Sequence, residues 1–235
     1  MIEGKTIAVV IPCHNEEAGL RRLLQRLPAE IDEIVIVDNN STDQTASVAR
    51  TFGARVITEK KPGYGWAYQA GLSAATVEII ATLDGDAQYP VEEVPRLVRA
   101  FLDRRLDFLS GCRFPLRSRA MPFTRRLGNM LLTTAAYILF GVRIRDTQSG
   151  MWVFHRTLYF AIQPREPGMA FSEEFKIKVI RAGLRFGEEH ISYYPRVGAS
   201  KLLPLRDGWD NLVYLVRLRF TRSQNILSRN QPAAS

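Results

Sequence analysis

The chain has 235 residues, of which 46% are hydrophobic and 24% are charged. This composition excludes an intrinsically disordered protein and fits one large α/β domain or two small ones. Lysine and arginine number 32 against 24 aspartates and glutamates, a surplus that favours a polyanionic partner such as a phosphorylated ligand, a membrane surface or a nucleic acid. The alternative is a surface that is merely basic.

The cysteine count and the apolar runs limit where the protein can work. Two cysteines, Cys13 and Cys112, are too few for a disulfide framework and fit a reducing compartment. The apolar run near the N-terminus is too short and too poorly flanked for a signal peptide. The longest stretch without charge, residues 127–142, would rise ~24 Å as a helix, against a hydrocarbon core of ~30 Å. We expect no membrane span there, but either a buried core helix or a helix against a membrane surface.

The first hundred residues alternate between strand and helix patterns. Their apolar runs predict strands, and their leucine spacings, cap residues and glycine stops predict helices. Because the strands are apolar throughout, the pattern predicts an α/β fold with a mostly parallel sheet and helices on both faces. The predicted strands are 6–12, 33–38, 54–58, 77–84 and 106–111, and the predicted helices are 16–27, one within 39–53, 63–75 and 90–101.

The alternation ends after Gly111. An arginine-rich segment at 112–126 leads into the apolar helix, and a C-terminal elaboration follows. Neither an internal repeat nor a linker is visible, so we predict one domain over 1–220 and a flexible tail over 221–235. The elements predicted beyond the apolar helix are a loop and strand at 145–154, a helix at 172–182, a β segment at 186–198 and an amphipathic stretch at 206–220.

Three of the predicted strands end in polar clusters: "PCHNEE", "DNNSTD" and "DGDAQ". In open parallel sheets, ligands bind beyond the carboxyl ends of the strands. We therefore expect the three clusters to converge at one edge of the sheet.

Asp84 and Asp86 carry the clearest chemistry, because two close carboxylates at the end of a buried strand need a cation. Mg²⁺ and Mn²⁺ prefer oxygen ligands and often join carboxylates to substrate phosphates, and Gln88 offers a further oxygen. The alternative is a solvated Asp-Gly turn. Asp38 ends another strand and could accept hydrogen bonds from a nucleobase or ribose, or could simply form an Asx turn.

Other patterns narrow the function. The chain has neither the glycine fingerprint of a dinucleotide fold nor a P-loop, and it lacks a serine-hydrolase elbow and a zinc spacing. The arginines within 112–126 could clamp phosphate or form a solvated basic loop. Nothing resembling a nucleic-acid-binding module accompanies the charge, so we expect no nucleic-acid partner.

Seven segments of the chain resemble family 2 glycosyltransferases, in the order in which that family has them. Over roughly residues 5 to 203, the chain is most similar to dolichol-phosphate mannose synthases and related polyprenyl-phosphate sugar transferases. The segments are "VVIPCHNEE", "IVIVDNNSTDQT", "GYGWAYQAGL", "TLDGDAQYP", "GCRF", "RDTQSGMWVF" and "RVGASKL".

The resemblance implies a GT-A fold, a nucleotide-diphosphate sugar (UDP- or GDP-linked) and Mg²⁺ or Mn²⁺ as cofactor. It also implies site residues. Pro12, His14 and Glu16 correspond to the nucleotide-contacting loop, Asp38 to the residue that holds the base, and Asp84, Asp86 and Gln88 to the metal ligands. Arg113 and Arg125 correspond to arginines near the acceptor phosphate and the diphosphate. Asp146, Gln148 and Ser149 correspond to the loop near the donor sugar, and Glu174 to an acidic residue on the next helix. Arg196, Ser200 and Lys201 correspond to a segment that closes over the phosphates.

The function that this resemblance implies is inverting, metal-dependent transfer of a sugar to a polyprenyl phosphate. Asp86, Arg113 and Arg125 would act in catalysis, and an alcohol acceptor would need Asp146 or Glu174 as a base. Two alternatives stay open: the same chemistry on a hydroxyl acceptor, and a nucleotide-sugar-binding protein without activity. We expect a cytoplasmic enzyme, soluble or peripheral at the cytoplasmic face of a membrane, with 206–220 as a candidate membrane contact.

Overall fold

A computed structural model describes residues 1–116, 120–198 and 204–221 of the chain, with the side chains of residues 204 and 205 left undescribed. Its described part contains a seven-stranded sheet in the order β3-β2-β1-β4-β6-β5-β7. All neighbouring strands pair in parallel except β6, which runs antiparallel to both β4 and β5. The strands are β1 Ile7–Cys13, β2 Glu33–Asp38, β3 Arg55–Thr58, β4 Ile79–Thr82, β5 Phe108–Cys112, β6 Trp152–His155 and β7 Phe186–His190.

Helices cover both faces of this sheet, as the sequence predicted. Strand β1 shows why: Ile7, Val9 and Ile11 pack with α1 and α4, whereas Ala8 and Val10 pack with α3 and α7. Alternate residues of a strand point to opposite faces, so a fully apolar strand is buried on both. The helices are α1 Glu17–Leu24, α2 Thr45–Thr51, α3 Tyr64–Ala74, α4 Val94–Asp103, α5 Phe123–Phe140, α6 Arg156–Ile162, α7 Phe171–Arg181 and α8 Pro204–Phe220.

The C-terminal elaboration is a small second core in which α5 and α8 pack on each other and on α7. Leu132 and Ala136 of α5, Leu215 and Leu218 of α8, and Ile177 of α7 are buried together. Among the described helices, none has the length and hydropathy needed to span a bilayer.

The structure differs from the prediction in two places. Helix α6 was not predicted, because it is short and follows β6 without a turn. The β segment predicted at 186–198 is wrong beyond His190. There the backbone N–H groups of Tyr194 and Val197 donate to the carbonyls of Gln88 and Asp86, at 2.9 and 3.1 Å, so they bind the loop after β4 instead of a strand. Residues 222–235 of the predicted tail lie outside the described residues, and the single domain over 1–220 stays a prediction.

Helix α3 packs tightly on the sheet at Gly71. A Cβ atom there would lie 2.6 Å from Val10 Cγ1 and 2.6 Å from Val37 Cγ2, on two neighbouring strands. We expect Gly71→Ala to lower the free energy of unfolding by about 1–3 kcal/mol, because an overpacked core must shift. Urea unfolding measures this change. Gly128→Ala, where nothing lies within 4 Å of the added Cβ, is the matched control and should be neutral or slightly stabilising. Equal losses in the two variants would contradict this packing.

Candidate active site

The polar clusters at the strand ends converge at one edge of the sheet, as predicted. Cys13 at the end of β1 is level with Asp38 at the end of β2, and Val10 is level with Thr82 at the end of β4. Because β6 is antiparallel, its first residue lies at the same edge and brings the preceding loop, residues 146–151, to the site. A cleft of about 530 Å³ opens beyond this edge.

Asp84 lies in the cleft, just beyond β4. The Tyr64 hydroxyl donates to Asp84 Oδ1 at 3.1 Å, and the Tyr68 hydroxyl lies 3.4 Å from the same oxygen. Burial and the neighbouring Asp86 raise the pKa of Asp84 to about 7, although the tyrosine hydrogen bonds act in the opposite direction. A cation that enters the cleft would therefore stabilise the ionised form of this buried carboxyl group.

Asp86 is almost fully buried and already has a cationic partner. Its Oδ2 accepts from Arg196 Nη1 at 2.6 Å, and its Oδ1 accepts the backbone N–H of Gln88 at 3.0 Å. Arg196 also pairs with Glu16, so one guanidinium bridges two carboxylates from different loops. Burial still raises the pKa of Asp86. Arg196 therefore offsets the charge of Asp86 in this structure.

The donor set suits a divalent cation of the Mg²⁺ or Mn²⁺ type. Asp84, Asp86 and Gln88 all line the cleft, and together they offer two carboxylates and an amide oxygen. The Gln88 Nε2 donates to the Tyr194 carbonyl at 3.1 Å, so its nitrogen is held by the protein. Among residues 1–116, 120–198 and 204–221, no group of three histidine, cysteine or acidic side chains forms a metal cluster, so Gln88 would have to complete this one.

Arg113 and Asp146 form a buried, two-pronged ion pair beneath the cleft. Arg113 Nε and Nη2 donate to Asp146 Oδ2 and Oδ1, each at 2.8 Å, and Asn129 Nδ2 adds a third bond at 3.0 Å. Despite burial, Arg113 holds the pKa of Asp146 below its usual value, and Asp146 raises that of Arg113. Arg113 lines the cleft and Asp146 is wholly buried, so Asp146 fixes the orientation of Arg113.

Two buried charged residues of α7, which were not singled out from the sequence, hold the loop that carries Asp146. Lys176 Nζ donates to the carbonyls of residues 146, 147 and 149 at 3.0, 3.0 and 2.8 Å. Glu173 accepts from Gln148 Nε2, and Asn211 of α8 donates to Gln148 Oε1 at 3.2 Å. Gln148 lines the cleft, so α7 and α8 together orient an amide that faces it. The sequence carried only a weak signal, because Glu173 and Lys176 are two of the five charged residues of α7.

The residues that follow β1 and β2 form the opposite wall. Pro12, His14 and Glu16 line the cleft, and His14 Nδ1 lies 2.7 Å from the Asn39 carbonyl. Asp38 does not line the cleft; its Oδ1 accepts the Ser41 N–H at 3.1 Å, which is the Asx-turn alternative. Asn39, which was not singled out from the sequence, does line it and ties β2 to the loop 59–63.

The structure does not bring every predicted residue into the cleft. Arg125 lines it, but Ser149 is buried behind it. Glu174 is not among its lining residues, because its carboxylate accepts the backbone N–H groups of Arg165 and Glu166 at 2.8 and 2.7 Å and pairs with Lys178. Ser200 and Lys201 lie outside the described residues.

The α/β fold places this acidic cleft beyond the carboxyl ends of the parallel strands, where enzymes of this class bind their ligands. The family model of glycosyl transferase family 2 matches residues 8–160, and the chain belongs to that family. It is therefore a glycosyltransferase.

Two relatives cover most of the chain. An uncharacterized glycosyltransferase of Mycobacterium bovis is 35% identical over 197 residues, which are 84% of this chain and 89% of that protein. A dolichyl-phosphate hexose transferase of Haloferax volcanii is 34% identical over 205 residues, 86% of this chain and 89% of that one.

Among solved structures, glucosyl-3-phosphoglycerate synthase from Mycobacterium tuberculosis shares the GT-A fold. Its complex with Mn²⁺, uridine diphosphate and glucosyl-3-phosphoglycerate superposes with a TM-score of 0.74 at 24% identity. The match covers 92% of this chain and 80% of that one. At this identity, the similarity establishes the fold alone.

We expect the stability of the protein to depend on pH through the buried Glu173. Burial raises the pKa of Glu173 to about 8 from the 4.5 of a free glutamate, so near neutral pH the folded protein keeps a proton that the unfolded chain has lost. Its contribution to stability is complete below pH ~4.5 and is lost as the pH rises through about 8. Lys176, with a pKa lowered to about 8, and Tyr214 face it, and both are retained in the variant below.

Glu173→Gln removes this titration while keeping an acceptor for Gln148. We expect the stability of Glu173→Gln relative to wild type to increase between pH 5 and pH 8, measured by urea unfolding at the two values. The exposed Glu3→Gln controls for the change in net charge. A stability difference that is the same at both pH values would show that Glu173 is not buried as a neutral acid.

Proposed function

We propose that this glycosyltransferase moves a sugar, in particular a hexose, from a UDP- or GDP-linked donor to a polyprenyl phosphate, with inversion at the anomeric carbon. The observation that carries the proposal is the charge arrangement of the cleft. Asp84 and Asp86 lie at one side, while three arginines, Arg113, Arg125 and Arg196, line the same cavity. Such a cleft suits two phosphorylated ligands: the diphosphate of a donor and the phosphate of an acceptor.

In this proposal the acidic pair and Gln88 hold Mg²⁺ or Mn²⁺. When bound, the cation would neutralise charge on the donor diphosphate. Arg196, which now neutralises Asp86, would turn to that diphosphate, and Ser200 and Lys201 of the same segment would assist it. Pro12, His14 and Glu16 would hold the nucleotide, with Asn39 beside them in the place expected for Asp38. Gln148, in the loop with Ser149, would contact the donor sugar, since α7 and α8 fix its amide.

Arg113 and Arg125 would hold the acceptor phosphate in line with the anomeric carbon. The phosphate oxygen then forms the new bond to that carbon, while the bond to the nucleoside diphosphate breaks. Asp146 keeps the Arg113 guanidinium in one orientation, so this side chain loses little conformational freedom when the acceptor binds.

The hydrogen bonds of the two expected general bases favour a phosphate acceptor over a hydroxyl. Asp146 is buried with its carboxylate committed to Arg113 and Asn129, and Glu174 is committed to backbone N–H groups and Lys178. In this proposal neither removes a proton from an alcohol, and Asp146 instead orients Arg113. A phosphate monoester is ionised near neutral pH and needs no such base. The name of the Haloferax volcanii relative, dolichyl-phosphate hexose transferase, supports the same acceptor class.

A lipid-linked acceptor has its phosphate at a membrane surface, so the proposal includes peripheral contact with the cytoplasmic face of a membrane. The two free cysteines of the described chain, both buried, fit a reducing compartment. Mn²⁺ and uridine diphosphate in the crystals of the glucosyl-3-phosphoglycerate synthase support the same donor class.

Turnover of a panel of UDP- and GDP-sugars tests the proposal, with Mg²⁺ or Mn²⁺ and with a short, water-soluble polyprenyl phosphate or the matching polyprenol. We expect product with the phosphate and none with the alcohol. We also expect Arg125→Ala to lower kcat/KM for the phosphate acceptor roughly tenfold or more, because a charge-assisted phosphate contact is lost.

Arg126→Ala is the matched control, since Arg126 is exposed and does not line the cleft. It should leave turnover of the soluble acceptor within about twofold. Product with the polyprenol, or equal losses in the two arginine variants, would overturn the assignment of the acceptor.

A further inference from the structure

Helix α5 presents an apolar face to solvent, the reverse of what a surface helix normally does. Six large apolar side chains are exposed there, and they form what we call the α5 ridge: Phe123, Leu127, Met130, Leu131, Tyr137 and Ile138. With ~100° between successive residues, the six span about 120° of the helix circumference and run for ~22 Å along its axis. Exposed apolar residues are common singly, but a continuous ridge of this size marks a surface that contacts something.

The other side of the same helix is already used. Asn129, Leu132 and Ala136 are buried, the last two against α8, and Arg125 and Gly128 join Asn129 and Leu132 in lining the cleft. The α5 ridge therefore faces away from the protein core and from the active site. The sequence predicted either a buried core helix or a helix against a membrane surface here. Because the ridge is exposed, α5 is not a buried core helix.

The charges around the ridge indicate what it contacts. Helix α5 contains no acidic residue, and its charged side chains are Arg125 and Arg126 in the first turn. Arg126 is exposed at one end of the ridge, and Arg143 is exposed just past the other end. An apolar stripe with arginines at its ends complements an anionic lipid surface, where the side chains enter the acyl boundary and the guanidinium groups meet phosphates.

We propose that the α5 ridge inserts into the surface of an anionic membrane and lays helix α5 in the interface plane. The purpose of this contact rests on the proposed lipid-phosphate acceptor. With the ridge in the lipid, Arg125 on the cleft side of the same helix lies within one helix diameter, ~10 Å, of the membrane surface. An acceptor phosphate can then reach the cleft while its hydrocarbon chain stays in the bilayer.

The sequence also offered residues 206–220 as a candidate membrane contact. On α8, the exposed large apolar residues Trp209, Val216 and Phe220 also share one face, within about 40° of each other. They are three against six on α5, however, and Asp210, Arg217 and Arg219 flank them, whereas the α5 ridge has only Thr134 among its members.

Vesicle co-sedimentation tests the contact directly, with vesicles of phosphatidylcholine alone or with about one third phosphatidylglycerol. We expect wild type to bind the anionic vesicles more strongly. The variant Met130→Gln/Leu131→Gln/Ile138→Gln should bind them roughly tenfold or more weakly, since three inserted side chains are lost. These positions are exposed and glutamine is a good helix former, so the fold should be kept, which circular dichroism and the thermal midpoint check.

Two further variants serve as controls. Phe160→Gln removes an exposed apolar side chain from α6 and should leave vesicle binding unchanged. Val216→Gln/Phe220→Gln tests α8, and a loss of binding in that variant alone would overturn the proposal. So would a triple variant that binds vesicles like wild type but changes the oligomeric state in sedimentation, because the ridge would then contact a second copy of the chain.

Turnover separates this inference from the proposed function. The triple variant should lose activity on a long-chain polyprenyl phosphate embedded in vesicles but keep it on the short, soluble acceptor. If wild type uses neither acceptor, the proposed function fails while the vesicle-binding result still decides the role of the ridge. If the variant loses activity on the soluble acceptor as well, the ridge serves the active site itself and the membrane role is wrong.

Discussion

The cleft depends on keeping two carboxylates, Asp84 and Asp86, at the end of a buried strand. Burial raises the pKa of each, and repulsion from Asp86 raises that of Asp84 further, so the pair is stable only with compensation. Tyr64 and Tyr68 provide it for Asp84 through hydroxyl groups, and Arg196 provides it for Asp86. The segment that carries Arg196 is in turn held by backbone hydrogen bonds to the loop between and after the two aspartates. The acidic pair thus organises the chain segments that surround it.

A second buried network lies next to the first, since a Cβ atom on Gly150, in its loop, would lie 3.1 Å from Asp84 Oδ1. Lys176 holds three carbonyls of the loop before β6, and that loop places Asp146 against Arg113 and Gln148 between Glu173 and Asn211. A buried lysine without a carboxylate partner is costly, and carbonyl oxygens offset part of that cost. The result is a rigid wall in which an arginine and an amide are oriented before any ligand arrives, a condition for precise phosphate binding.

The sequence predicted well what depends on local pattern and poorly what depends on distant partners. Apolar runs predicted the sheet, and the carboxyl ends of its parallel strands placed Asp84, Asp86 and Glu16 at one edge. The hydrogen bonds of Asp146 and Glu174 could not be predicted, because their partners are an arginine that follows another strand and backbone groups of another loop. Lys176 and Glu173 were missed for the same reason. The exposure of α5 was also open, since a core helix and a membrane-facing helix have the same apolar composition.

The central claim is that Asp84, Asp86 and Gln88 form a site for a divalent cation, with Asp86 as its indispensable member. Titration of Mn²⁺ into the protein with uridine diphosphate, followed by electron paramagnetic resonance, measures this directly. The account predicts saturable binding of a single ion in the wild type and a loss of at least roughly tenfold in affinity in Asp86→Asn, because a carboxylate ligand is removed. Unchanged Mn²⁺ affinity in Asp86→Asn would contradict it.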